Sequence, residues 1–289
     1  MAYNNKIIVV VTLLLLSSLN ISLGLGGELG IYWGQNGLEG SLRDTCDTNY
    51  YNIVNIGFLT TFGNGRPPFL NLAGHCDPGQ CKFLSDEIRY CKTKGIKERG
   101  TVSMGQLSWG RVSVKATRGS DESLDGIDFD IEIGTNQYYD VLAKALSELG
   151  EGAGQKVYLS AAPQCPFPDY YLEEAINTGL FDYVWVKFYN NPICQYNNGD
   201  PTNLFYYWNH YWSTIPTGKL FLGLTASPEA APSGGFIPAD ILISEVLPVI
   251  KATPIYGGVM LWDETSGHAY SSKIKPYVSM VTQNYITVL

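Results

Sequence analysis

This sequence of 289 residues is short of metal ligands: its three histidines, His75, His210 and His268, are scattered, and it has no Cys-x-x-Cys pair. A zinc site is disfavoured on that ground, and no metal and no cofactor is expected. Basic residues are also scarce, with 19 Lys and Arg against 27 Asp and Glu and a formal charge of −8. That balance speaks against nucleic acid as a partner. No Gly-x-Gly-x-x-Gly follows the first strand-like run, so an open dinucleotide-binding sheet lacks support. Past residue 26 there is no run of 18 apolar residues, which argues against a membrane span. The same region has no Asn-x-Ser/Thr, and no N-glycan is expected; Asn20-Ile21-Ser22 lies before it. Linkers and low-complexity tracts are missing too, which leaves a single domain.

The chain opens on residues 1–6, with Lys6, followed by a largely apolar run at 7–16. That run is too short to span a bilayer and reads as a secretory signal peptide. Small residues at Gly24 and Gly26 place the expected cleavage near 26, so that 1–26 is the signal and 27–289 the mature domain. Losing Lys6 takes the charge from −8 to −9. The remaining length suits a barrel of alternating strands and helices, typically about 250 residues.

All six cysteines (Cys46, Cys76, Cys81, Cys91, Cys165, Cys194) fall in the mature part. An even count in a secreted chain points to three disulfides, with every pairing open on spacing alone. The short Cys76-Asp77-Pro78-Gly79-Gln80-Cys81 loop suits a local turn with Pro-Gly at its centre.

Strand-like runs fall at 29–34, 53–60, 101–105, 124–132, 156–162, 183–189, 220–225 and 257–262. Helical patterns lie between them at 82–94, 137–149, 169–177, 203–213 and 239–250. Such alternation implies a parallel sheet. Eight strands favour closure, an α/β fold of the (β/α)8 TIM-barrel type. Functional groups in such barrels gather at the C-terminal ends of the strands. Here those ends carry Tyr32-Trp33-Gly34-Gln35-Asn36, then Asp130 and Glu132, then Tyr189-Asn190-Asn191, then Trp262. In 183–189, Val184, Val186 and Phe188 make an outer face, so Trp185, Lys187 and Tyr189 point inward. An inward Trp185 serves equally well as plain core.

Residues 124–132, LDGIDFDIE, have two incompatible faces. Period-two alternation puts Ile127, Phe129, Ile131 and Ile133 on one and Asp128, Asp130 and Glu132 on the other. A solvated edge strand could carry such acids, but the Ile-Phe-Ile face asks for burial. Crowded carboxyls repel, and at least one should hold its proton towards neutral pH. Acid–base chemistry is the use for so costly a cluster. Carboxyls suit glycosidic bonds and aromatic faces suit sugar rings, so the barrel mouth reads as a carbohydrate site.

Asp125-x-x-Asp128-x-Asp130-x-Glu132 resembles the signature of family 18 glycoside hydrolases. The wider likeness is to plant class III chitinases of the hevamine type. It is carried by IYWGQNG at 31, NLAGHC at 71, LDGIDFDIE at 124, KVYLSAAPQCPFPDYYL at 156, TGLFDYVWVKFYNNPICQY at 178 and YGGVMLW at 256. The resemblance implies a β/α barrel that cleaves β-1,4-linked N-acetylglucosamine in chitin, outside the usual two-carboxylate scheme. It implies Glu132 as the general acid. The substrate's own acetamido oxygen would attack the anomeric carbon, with retention. Asp130 would orient that group, Tyr189 would hydrogen-bond its oxygen, and Asp128 would share a proton or charge with Asp130. Trp262 would floor the sugar subsite, with Gln35 and Asn190 as further substrate contacts. A low-dielectric site among other carboxyls would keep Glu132 protonated. Asp125, out of phase with the inward acids, reads as a structural residue at the strand start. The family's cysteine pattern implies Cys46–Cys91, Cys76–Cys81 and Cys165–Cys194.

Three features depart from that family. Its third strand ends in a Ser-x-Gly-Gly turn and is followed by a full helix. Here Ser103-Met104-Gly105-Gln106 keeps part of the turn, and 107–123 form a shortened crossover between strands three and four. Gly110, Gly119, Val112 and Val114 make it a poor helix. Part of the Ile127-Phe129-Ile131 face is then expected to lie in water, with activity impaired. Second, Lys187 stands where the family usually has glutamine. An inward ammonium near Asp128 and Asp130 favours their charged forms, and on reaching Glu132 it would oppose the acid's proton. A structural ion pair deep in the barrel is the preferred reading of Lys187. Third, Asp263-Glu264-Thr265 makes the rim more acidic.

The expected partners are chitin and chito-oligosaccharides, with peptidoglycan as a side substrate, acted on by a monomer in plant defence. Secretion to the apoplast rather than the vacuole fits the acidic balance and the lack of an obvious C-terminal extension. The competing reading is a catalytically weak or inactive chitinase-like carbohydrate-binding or glycosidase-inhibitor protein. Such relatives typically lose a motif acid or block the cleft, whereas Asp130, Glu132 and Tyr189 are kept.

Overall fold

Each of the eight strand-like runs is a strand in the computed structural model, which describes residues 26–63, 66–77, 80–103, 124–263 and 268–280. In chain order the strands are β1 (Glu28–Trp33), β2 (Ile53–Gly63), β3 (Arg66–Leu70), β4 (Lys97–Ser103), β5 (Gly126–Asp130), β6 (Tyr158–Ala161), β7 (Tyr183–Lys187), β8 (Lys219–Thr225) and β9 (Tyr256–Trp262). All except β3 run parallel, and pairing of β1 with both β2 and β9 closes them into a barrel. The unexpected β3 folds back antiparallel on the end of β2. It carries Pro67 and Pro68, and an edge is the place in a sheet that tolerates them.

Both faces of the barrel strands are buried, as near-continuous apolar runs require. Val184, Val186 and Phe188 pack outward in the main core, while Tyr183 and Trp185 face the barrel interior with Tyr32, Phe221 and Met260. The expected helices form at Leu84–Thr93, Tyr139–Gly152, Glu173–Ile176 and Thr202–His210. Ala239–Ile241 continues through a π turn, Leu242–Val246, into Leu247–Ile250. Leu42–Asp47 and Ala269–Ser279 are additional helices. The first carries a legible signal, a capping box in which Ser41 Oγ accepts from Asp44 N at 3.1 Å and Asp44 accepts from Ser41 N at 3.0 Å. Among the described residues no helix is long and apolar enough to cross a membrane.

Strand β5 is shorter than its pattern, ending at Asp130. Ile133, assigned to its apolar face, lies beyond that end and is 63 % exposed. Phe129 and Ile131 are buried, with Phe129 against the Phe181 ring at 5.3 Å and near Tyr139 of the following helix. Ile127 is half-buried. The expectation that this face would stand in water therefore fails for Phe129 and Ile131. The crossover at 107–123 and the turn residues 104–106 lie outside the described residues.

Strand β4 starts four residues before the expected run, at Lys97 rather than Thr101. Glu98 and Arg99, which hid it in sequence, are both fully buried.

The disulfides pair as the resemblance implied, Cys46–Cys91, Cys76–Cys81 and Cys165–Cys194, with Cα separations of 5.5, 5.4 and 5.8 Å. Cys46–Cys91 ties Leu42–Asp47 to Leu84–Thr93; Cys165–Cys194 ties the loops after β6 and β7 at the barrel mouth. Their sequence separations of 45 and 29 residues, against 5 for the third, make them the two that most restrict the unfolded chain. Reduction should lower the thermal midpoint, each of these two contributing about 2–4 kcal/mol. An unchanged melt with all six thiols free would contradict this.

Candidate active site

The inward face of β5 delivers Asp128 and Asp130, and Glu132 follows just past the strand end. Asp128 is fully buried and held by three donors: Tyr32 OH at 2.6 Å, Ser160 Oγ at 2.7 Å and Trp185 Nε1 at 3.0 Å. Burial raises its carboxyl above the ordinary range, against the pull of the bonds from Tyr32 and Ser160. Trp185 is thus both core and part of a polar network, which neither sequence reading alone gave it. Burial, with Asp128 and Asp130 adding to it, keeps the Tyr32 hydroxyl well above its ordinary value.

One step along, Asp130 Oδ1 accepts from Lys187 Nζ at 2.5 Å. Burial pushes the Asp130 carboxyl up to about 6, against the lowering effect of Lys187 and with Glu132 adding to the rise. Lys187 also donates to Glu132 Oε1. Burial opposes its charge, but Asp130 and Glu132 outweigh that and hold the ammonium above its ordinary range. The ion pair expected at Lys187 is present, and it reaches the acid as well as Asp130.

Glu132 does not sit in the low-dielectric setting expected for it. Its side chain is 50 % exposed, because it stands on the loop beyond β5. Its Oε1 accepts a second bond, from Gln164 Nε2 at 3.1 Å, and Gln164 Oε1 accepts in turn from Asn191 Nδ2 at 2.5 Å. Gln164 is fixed by its backbone, whose N–H donates to Asp169 at 2.9 Å.

Asp130 and Glu132 face a cavity of about 480 Å³ at the C-terminal mouth of the barrel. Asp130, Glu132, Tyr189, Trp262, Gln35 and Asn190 are on its wall, with Phe58, Gln164, Asn191 and Ala230. Trp262 stacks on Phe58, ring centroids 5.8 Å apart, and meets Tyr32 edge-on. Burial, with Asp130, Glu132 and Asp263, keeps the Tyr189 hydroxyl protonated against the influence of Lys187. Gln35 spends its amide nitrogen on the carbonyls of Gly34, Gly57 and Asn71 at 3.0, 2.8 and 2.8 Å, leaving its carbonyl oxygen as the atom to offer a ligand. Asn190 Oδ1 accepts from Ser233 N at 2.9 Å and so holds the following rim. Two close approaches shape the wall. Gly34, at φ 112°, lies where a Cβ would meet Gly57 O at 2.6 Å; Gly235, at φ 98°, lies where one would meet Tyr189 Cα at 2.5 Å.

Asp125 stays out of the site, as expected. Its Oδ2 accepts from Glu98 N at 2.8 Å and it pairs with Lys92 at 2.9 Å. Gln164 and Phe58 were not foreseen, and Asn191, seen as a strand-end residue, was given no role. The rule that strand ends carry function, applied to the run at 156–162, would have found Gln164. Phe58 needs the barrel to be closed before it meets Trp262.

Carboxyls and aromatic rings around the mouth of a β/α barrel define a carbohydrate-processing enzyme class. The chain belongs to family 18 of the glycosyl hydrolases, in its plant class III branch. The family's profile, "Glycosyl hydrolases family 18", matches residues 112–232. An acidic endochitinase of Nicotiana tabacum is 54 % identical over 87 % of this chain and 92 % of its own length. The crystal structure of a chitinase from Ipomoea carnea is 58 % identical, covers 86 % of this chain and 99 % of its own, and superposes with a TM-score of 0.79. A xylanase and alpha-amylase inhibitor protein from Scadoxus multiflorus is 35 % identical, over 88 % of this chain and 98 % of its own, with a TM-score of 0.75.

Proposed function

We propose that this chain is a secreted endochitinase that hydrolyses β-1,4-N-acetylglucosamine linkages with retention and substrate assistance. The observation that carries the reading is the meeting of Asp130, Glu132 and Tyr189 on one cavity wall, with Trp262 beside them. Glu132 protonates the leaving oxygen from its place at the open end of the cavity. The acetamido oxygen of the bound sugar attacks the anomeric carbon as the protonated leaving oxygen departs. Water then opens the cyclic intermediate from the face that oxygen left, giving its proton to the Glu132 carboxylate. Asp130, deeper in the floor, polarises the acetamido group, and the protonated Tyr189 hydroxyl donates to its oxygen. Asp128, saturated with donors, is fixed in place and supplies the charge behind Asp130.

Hydrolysis of a fluorogenic chito-oligosaccharide tests the activity. Substrate assistance makes a sharper demand: oligomers with glucosamine at the bond broken should resist cleavage, since they lack the attacking carbonyl. Efficient cleavage there would assign the nucleophile to the protein instead. Residues 1–26 as a signal peptide, an apoplastic monomer acting in plant defence, and peptidoglycan as a side substrate complete the proposal. N-terminal sequencing of the mature protein tests the first of these.

The second reading, a chitinase-like carbohydrate-binding or glycosidase-inhibitor protein, is favoured by one observation: the contact of Lys187 with both working carboxylates. Binding of chito-oligosaccharide without turnover, or inhibition of a foreign xylanase or amylase, would select it.

A further inference from the structure

The proposed reaction has no use for a cation behind the cavity wall, yet Lys187 stands there against Asp130 and Glu132, with its side chain only 3 % exposed. Its backbone is pinned on both sides. Lys187 N donates to Pro163 O at 2.8 Å, and its carbonyl accepts from Cys165 N at 3.2 Å, beside the Cys165–Cys194 disulfide. The ammonium therefore cannot withdraw with the chain. It bridges Asp130 Oδ1, at 2.5 Å, and Glu132 Oε1. The charged and titratable groups that face it are Asp130 and Glu132, Tyr189 two residues past the end of its own strand, and Asp169 from the loop after β6. Asp128 lies one inward step below Asp130.

We propose that Lys187 is a positioning residue that acts as a brake: it ties Glu132 to Asp130 through one ammonium and holds turnover down while leaving the sugar site intact. This rests on the endochitinase reading. A general acid must carry a proton toward the leaving oxygen. Here the oxygen nearest the floor accepts from both Lys187 and Gln164, and a proton arriving on the same carboxyl enters against a contacting positive charge. Asp130 must turn to the acetamido group, but it is held by the same ammonium. Charge-assisted bonds are stronger than neutral ones, the more so at the buried Asp130 end of the bridge, and both must be broken before the reaction geometry forms. A glutamine at this position would be neutral and would release both carboxyls.

The test is Lys187→Gln, with Lys187→Met as a second variant that keeps the apolar stem, each first checked for a cooperative melt and for chito-oligosaccharide binding. Opposite charge in contact typically favours a carboxylate by about tenfold or more. The expected result is kcat raised about tenfold or more near neutral pH with KM changed by less than about threefold. Adding Glu132→Gln to Lys187→Gln should erase the gain. If the parent hydrolyses the oligomer and neither variant exceeds it, the brake is refuted and the endochitinase reading stands. If parent and variants all bind and none hydrolyses, the endochitinase reading itself falls, and the brake with it.

Discussion

Glu132→Gln should lower the hydrolysis of chito-oligosaccharides by about 10²–10⁴, the usual worth of a general acid, with binding largely kept. The substitution removes the proton but keeps the shape, and the surroundings favour a clean comparison. Glu132 lies past the end of β5, half in solvent, so its replacement disturbs no core packing. A glutamine oxygen can still accept from Gln164 and Lys187, and Lys187 keeps Asp130 as its charged partner. Asp130→Asn should also be severely impaired, but it is a less clean test. It strips the buried ammonium of its closest buried counter-charge, and breaking such a pair is strongly destabilising. Titration calorimetry with a chito-oligomer, beside the rate of release of a fluorogenic group, separates binding from chemistry. Near-parent hydrolysis by Glu132→Gln would remove Glu132 from the role of acid.

The barrel was legible because burial on both strand faces writes itself as apolar runs, and because the intervening helices keep their own period. Legibility failed where physics was local or long-range in an unusual way. Strand β4 begins with Lys97-Glu98-Arg99, and no propensity argument buries the two adjacent charges Glu98 and Arg99. Glu132 was placed on the strand by alternation alone. Alternation gives the direction of a side chain but not the residue at which the ladder stops, and the strand ends at Asp130. From that one shift follow both the exposure of Glu132 and that of Ile133. The inward direction of Lys187 was readable from Val184, Val186 and Phe188 on the opposite face. Its reach to Glu132 was not, because it depends on the twist that brings the end of β7 across to the loop after β5. The cysteine pairing could come only from resemblance, since spacing carries no information about which loops meet.

The second large effect should come from Glu98. Replacing it with Val should raise the thermal midpoint at pH 7, and the gain should vanish in acid. Glu98 is fully buried on the outer side of β4, with its carboxyl beside the Cys46–Cys91 disulfide. The sulfur of Cys46 is 3.8 Å from Oε1, but a disulfide sulfur has no proton to donate, and Oε2 has no partner. Burial, with Asp125 adding to it and Lys92 opposing, holds this carboxyl well above its ordinary range. The sign of the pH dependence follows. A carboxyl whose folded-state value is raised favours the folded protein fully below its unfolded value of about 4.3. That contribution is lost as pH rises towards the raised folded value. The parent should therefore lose stability from mildly acidic towards neutral pH. The raised carboxyls of Glu39, Asp128, Asp130 and Asp169 have the same sign and persist in the variant. Valine nearly matches the volume of glutamate, suits a strand, and would pack on the disulfide. Exchanging a buried ionic group for an apolar one of similar volume commonly stabilises by about 1–4 kcal/mol, or roughly 2–4 °C for each kcal/mol in a domain of this size. Arg99, on the inner side, lies with its guanidinium 4.0 Å over the Tyr183 ring. That ring supplies a cation–π contact, so Arg99 is the less promising of the two sites. Melts of parent and Glu98→Val from pH 4 to pH 8 decide the matter. A gap that grows with pH identifies the buried carboxyl as its source; a gap that stays constant across the range would assign the gain to packing and remove the linkage argument.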